Sequence, residues 1–204
     1  MKSYSLENKY QKDVDNLNEW FSNELQNVQM NSKKGFNVIT LVLKKIRQTP
    51  GLSESLDFLN DIYNQELFPE YMNIIHIKPK ITTKVWTSKV RSAPMVFGKD
   101  NLYDPALPTR KVLALMPLVP ADNLLKIHWL SKSDSDSITG PEPVPADNFI
   151  FEESVFINDH CVVLDTSNMI VFDNSENSNH VCLLQMAFEQ NPEFGEVVST
   201  LKRI

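Results

Sequence analysis

Apolar positions in the first part of the chain recur every three or four residues. Leu6, Tyr10, Val14, Leu17, Phe21, Leu25 and Val28 share one face over residues 5–29, with Asp, Glu, Lys and Asn on the other. That spacing predicts an amphipathic helix. NSKKG at 31–35 breaks the pattern. Residues 36–48, FNVITLVLKKIRQ, form a denser apolar run that by periodicity fits a buried helix or a strand. The basic residues at its end suit a helix C-terminus, so a helix is expected there, stopped by Thr49-Pro50-Gly51. Ser53 is the expected N-cap of a further helix through ESLDFLNDIYNQEL, with Leu56, Leu59, Ile62 and Tyr63 on one side and Pro69 as its end.

After residue 70 the period changes to two. NIIHIKPKITTKVWTSKV is rich in β-branched residues and alternates, which predicts strand. Further strands are expected at about 93–97, 111–118, 124–130, 149–157, 160–165, 168–173 and 180–189. SKSDSDSITGPEPVPADN at 131–148 reads as a long polar loop. PADN occurs at 120–123 and again at 145–148, each time between Val and an apolar strand, as turn chemistry requires. Helices first and then seven or eight short antiparallel strands imply an α+β protein. The expected arrangement is a single domain over 1–204. Its helical N-terminal part (1–70) packs on a rolled β-barrel of jelly-roll or cupin-like type (71–204).

Composition narrows the function classes. The chain has 204 residues, 42% of them hydrophobic, enough for one good core. Its net charge of −6 argues against nucleic acid and against anionic membrane surfaces as partners. No apolar run approaches the roughly 20 residues of a membrane span. MKSYSLENKYQKD lacks the apolar segment of a secretory signal, so a cytoplasmic location is expected. Cys161 and Cys182 are then expected to be reduced, buried thiols.

Most catalytic patterns are missing. There is no phosphate-cradling Gly-rich loop and no GxSxG elbow. His160 and Cys161 are strand neighbours and so point to opposite faces, as do Glu152 and Glu153. Asp134 and Asp136 lack the spacing of a calcium loop. His76 and His128 alternate with apolar neighbours, which reads as rim or surface histidine. Trp86 and Trp129 read as packing residues.

Two stretches carry a resemblance. RKVLALMPLVPADNLLKIHWL is a pair of strands, and VVLDTSNMIVFDNSENSNHVCLLQMAF is a strand-turn-strand containing Leu164-Asp165-Thr166, Asn174 and a closing apolar strand from Val181. With residues 93–110 they resemble the aspartyl/asparaginyl β-hydroxylase-like branch of the 2-oxoglutarate and iron oxygenases, which are double-stranded β-helix proteins of the cupin type. Such enzymes hold Fe(II) with two His and often a carboxylate. In the register of the resemblance, Gly98 stands for the first His, Asp100 for the carboxylate, Ile170 for the distal His, and His180 for the Arg that grips the co-substrate. Neither Gly nor Ile donates an electron pair, and His lacks the two-pronged fork of Arg.

The resemblance therefore implies an oxygenase-like barrel without the Fe(II) facial triad. Such a pseudoenzyme is a non-catalytic binding or assembly protein, with no cofactor and with a protein or a small anionic ligand as partner. Arg91, Lys99, Asp100 and Arg110 flank the segment where the family places its metal, and form a candidate anion rim. Exposed edge strands are compatible with a homodimer. The competing expectation is an active 2-oxoglutarate/Fe(II)-dependent hydroxylase of a peptide or small metabolite. Asp100, His128 and His180 would then be its metal ligands, and Arg110 and His180 would hold the co-substrate.

Overall fold

The computed structural model describes residues 1–6, 9–24, 36–39, 46, 48–77, 84–85, 110–119, 125–131, 133, 144–145, 151–157, 160–167, 170–173, 176–178 and 181–204. The expected strand at 93–97, most of the polar loop at 131–148, and Trp86, Arg91, Lys99, Asp100, Asn174 and His180 lie outside these residues.

Eleven strands and three α-helices are seen among the described residues. The strands are β1 (Ser3–Ser5), β2 (Phe36–Ile39), β3 (Pro69–Ile77), β4 (Lys84–Val85), β5 (Val112–Val119), β6 (Leu125–Leu130), β7 (Val144–Pro145), β8 (Phe151–Ile157), β9 (Val162–Asp165), β10 (Ile170–Asp173) and β11 (Val181–Phe188). The helices are α1 (Gln11–Glu24), α2 (Asp57–Asn64) and α3 (Phe194–Leu201), with a short 3-10 turn at Ser53–Ser55.

A six-stranded sheet runs β1-β9-β5-β11-β3-β2, a three-stranded sheet runs β10-β6-β8, and β4 pairs with β7. Every described pairing is antiparallel. The pairs nest: β6 with β8, β5 with β9, and β3 with β11, while β4 lies beside β10.

Alternation sorts each strand's side chains into two cores. On one face of the large sheet Val112, Ala114, Met116, Cys182, Leu184 and Met186 pack with Leu17, Trp20 and Phe21 of α1 and with Phe58 and Ile62 of α2. On the other face Leu115, Val162, Leu164, Val181 and Leu183 meet Leu125, Ile127, Trp129, Ile170 and Phe172 of the small sheet. Strand β11 lies between β5 and β3 and is covered on both faces, so all its residues are buried. That is why VCLLQMAF is nearly unbroken in apolar character. Pro117 has no N–H for the ladder, and the β5–β11 register shifts between Cys182 and Leu183, opposite it.

The structure departs from the sequence reading in four places. Residues 36–39 are strand β2, paired with β3, rather than the start of a helix. The segment read as helical also contributes β1, and β3 begins at Pro69. α2 starts at Asp57, with Leu56 rather than Ser53 in the cap position. α3 closes the chain where no element was expected, its Glu196 side chain accepting a hydrogen bond from the Glu193 N–H.

Both cysteines are buried thiols. Burial pushes Cys182 up to about 12; it raises Cys161 further still, with a contribution from the charge of Asp13. Thiolate is the reactive form. Native protein at pH 8 is therefore expected to resist an aromatic disulfide reagent for as long as it stays folded, and to yield two thiols per chain in denaturant. A fast native reaction would mean that the sheet–helix core opens readily.

Candidate functional site

In the register of the resemblance, the distal metal ligand falls on Ile170. Ile170 opens β10 opposite Trp129 of β6. Its side chain is 0% exposed and belongs to the apolar cluster between the sheets, together with Trp129, Leu164 and Phe172. Nothing in that cluster donates an electron pair. Among the described residues no group of three or more His, Cys, Asp or Glu is placed to hold a metal ion. Ile170 itself offers no electron pair to a metal, and Asp100 and His180 lie outside the described residues.

His128 is held elsewhere. On β6, Ile127 and Trp129 face the large sheet, so His128 faces the other way. Its ring stacks on Phe151 at 4.4 Å between centroids with an interplanar angle of 10°, and its Nε2 lies 3.5 Å from Asp173 Oδ2. Lys126, on the same face, pairs with Glu176. This is an ordinary outer sheet face, and alternation alone located it.

Arg110 is the one residue of the candidate anion rim among the described residues. It sits just before β5, is 5% exposed, and burial pulls its guanidinium below the ordinary value. Thr166 Oγ1 donates to the Arg110 carbonyl at 2.8 Å, and Thr166 N–H donates to that of Lys111 at 2.8 Å. Asp165 Oδ1 accepts from Ser167 N–H at 2.9 Å, and the Asp165 carbonyl accepts from Trp129 Nε1 at 2.6 Å. The Leu164-Asp165-Thr166 motif thus builds a corner that ties β9 to β5 and to the small sheet. Its oxygens serve the fold. Asp100 and His180 lie outside the described residues.

One polar residue inside the sandwich was not singled out from the sequence. Gln185 lies in the middle of β11 at 0% exposure. Neither its amide oxygen nor its amide nitrogen has a hydrogen-bond partner among the described residues. The available signal was its place as the one polar letter in a doubly covered strand.

The structure is similar to HygX from Streptomyces hygroscopicus with nickel and 2-oxoglutarate bound, at 12% identity over 90% of this chain and 79% of that one, with a TM-score of 0.48. AviO1 from Streptomyces viridochromogenes Tue57 gives 13% identity, 94% and 91% coverage, and a TM-score of 0.42. SnoN, a non-heme alpha-ketoglutarate-dependent epimerase from nogalamycin biosynthesis, gives 8% identity, 90% and 74% coverage, and 0.42. At identities of 8–13% and these scores, the likeness carries no argument about activity, metal or ligand. No family model and no curated protein matches the chain.

Proposed function

We propose that this protein is a non-catalytic binding or assembly protein built on an oxygenase-like double-stranded β-helix. The nested pairs β6/β8, β5/β9 and β3/β11, with β4 beside β10, support the fold part of this reading. They are what one long hairpin gives when it rolls up on itself. The functional part rests on Ile170: at the register position of the distal metal ligand the side chain is aliphatic and sealed into the core between the sheets. A metal there would need a donor that replaces Ile170, and it would need a hydrated opening through packed apolar residues.

Metal loading tests the proposal. Protein purified without oxygen and offered Fe(II) is expected to retain far less than one iron per chain and to leave 2-oxoglutarate unconsumed. Stoichiometric iron, with succinate formed in step with 2-oxoglutarate loss, would overturn it and restore the hydroxylase reading with Asp100 and His180 as ligands.

A further inference from the structure

We infer that the groove between α1 and residues 49–55 is a binding site for an alkylguanidinium cation, such as an arginine side chain.

Asn16, Glu19, Trp20 and Asn23 are three or four residues apart and so form one stripe along α1. Residues 49–52 and Ser55 line the other side of a groove of about 370 Å³. That volume falls in the range of small-ligand sites, roughly 300–1,000 Å³. A polar stripe that is merely solvated needs no second wall, and this one has it. Gly51 keeps the loop low. Its φ is +77°, the left-handed region, and a Cβ there would meet no atom within 4 Å.

The charge of the walls decides the class of ligand. Glu19 carries the only formal charge among the lining residues, and none of them is basic. Glu19 and Asn23 are exposed, and among the described residues no cation lies within ion-pair distance of Glu19. An anion would meet a like charge here with nothing to offset it, whereas a cation meets its counter-charge.

The acceptors favour a planar fork over a point charge. Asn16 Nδ2 donates to the Ser55 carbonyl at 3.5 Å, a long bond that turns its amide oxygen away from the loop as an acceptor. Asn23 stands one turn beyond Glu19 and brings a second carboxamide. A guanidinium has five N–H donors in one plane and matches a carboxylate two-pronged, with donors left over for the amides. An ammonium has three donors on one atom and is more strongly hydrated. Trp20 is 6% exposed and its Nε1 is buried, so the groove meets ring carbons rather than the N–H. Those carbons give the methylenes of an arginine stem an apolar wall.

The inference goes beyond the binding-protein reading and does not depend on it. The groove lies on the helix side of the large sheet, where Trp20 joins the core with Phe58 and Ile62, and Ile170 lies in the core on the other side. Iron retention would sink that reading alone, and the titration below decides only this one.

The full chain labelled with ¹⁵N is titrated at low, matched ionic strength with Nα-acetyl-argininamide, with its neutral citrulline isostere and with the lysine counterpart. The arginine compound is expected to give saturable backbone shifts at Asn16, Glu19, Trp20, Asn23, Gly51 and Ser55. The citrulline and lysine compounds should both bind more weakly. Glu19→Gln should weaken arginine binding by about two- to fivefold, the factor for losing an exposed ion pair. Glu19→Lys should abolish it. Both substitutions keep a good helix former at an exposed position, and melting temperatures near the parent's show that the variants are folded. No saturable shift, citrulline binding equal to arginine's, lysine binding equal to arginine's, or unchanged arginine affinity in Glu19→Gln would each overturn the inference.

Discussion

Trp129→Ala is expected to lower the free energy of unfolding by about 3–5 kcal/mol, the range for truncating a large aromatic in a sealed core. Trp129 heads the fully buried side chains by volume. It stands on β6 of the small sheet, packs with Leu115, Val162 and Leu164 of the large one, and donates Nε1–H to the Asp165 carbonyl at 2.6 Å. The substitution opens a void between the layers and also removes that carbonyl's indole donor. Trp129→Phe keeps most of the packing and loses the donor, so its cost should be smaller, about 1–3 kcal/mol. Equilibrium urea unfolding measures both; the midpoint should move while the slope stays that of the parent. If Trp129→Ala costs under about 1 kcal/mol, the two sheets do not share the core described.

The layered body was legible because its strands alternate or run unbroken. Alternation in LKIHWL separates His128 from Trp129, and the structure puts them on opposite faces. The misses have physical causes. FNVI carries no period, and its pairing with β3 comes from backbone bonds that a local reading cannot see. β1 is Ser3–Ser5, polar and three residues long, and it too exists only through its partner, β9. α3 was readable: Phe194, Val197, Val198 and Leu201 follow helical spacing, and the last three are buried.

The candidate site was less legible. The register of the resemblance singled out Ile170, and the structure seals that residue in the core. Arg110, read with Arg91, Lys99 and Asp100 as a basic rim, is 5% exposed. Charge at a loop predicts exposure only when nothing folds over it, and sequence does not report what lies above. Gln185 is hidden for the opposite reason: one polar letter in an apolar strand carries no signal of burial until both faces of the strand are known to be covered.

Asp13 gives the second large effect, and it too was hidden from the sequence. It sits in α1 at a position grouped with the polar face, yet it is buried. Leu56, at the cap position of α2, offers no side-chain bond. Asp13 supplies the cap from a distance, Oδ1 accepting from Asp57 N–H at 2.9 Å and Oδ2 from Phe58 N–H at 2.6 Å. These are donors that a helix start otherwise leaves unpaired. Tyr10 OH donates to Asp61 Oδ2 at 2.8 Å, one helical turn before Asp13, so the two helices are clamped at two points. Asp13→Ala strips both N–H groups of their acceptor and is expected to cost about 2–4 kcal/mol. Asp13→Asn keeps one acceptor and should cost less.

The pH dependence sets Asp13 apart from a surface cap. Burial raises its carboxyl above the usual aspartate value, and the two backbone N–H bonds only partly oppose this. The folded chain therefore holds this proton more tightly than the unfolded chain does. The contribution linked to it is complete below the unfolded value and is lost as pH rises through the raised one. The stability of the parent relative to Asp13→Asn, which does not titrate, should accordingly fall across that window as pH increases. Paired urea titrations at several pH values measure the difference. A difference that grows with pH would show a carboxylate favoured by its two hydrogen bonds over its burial.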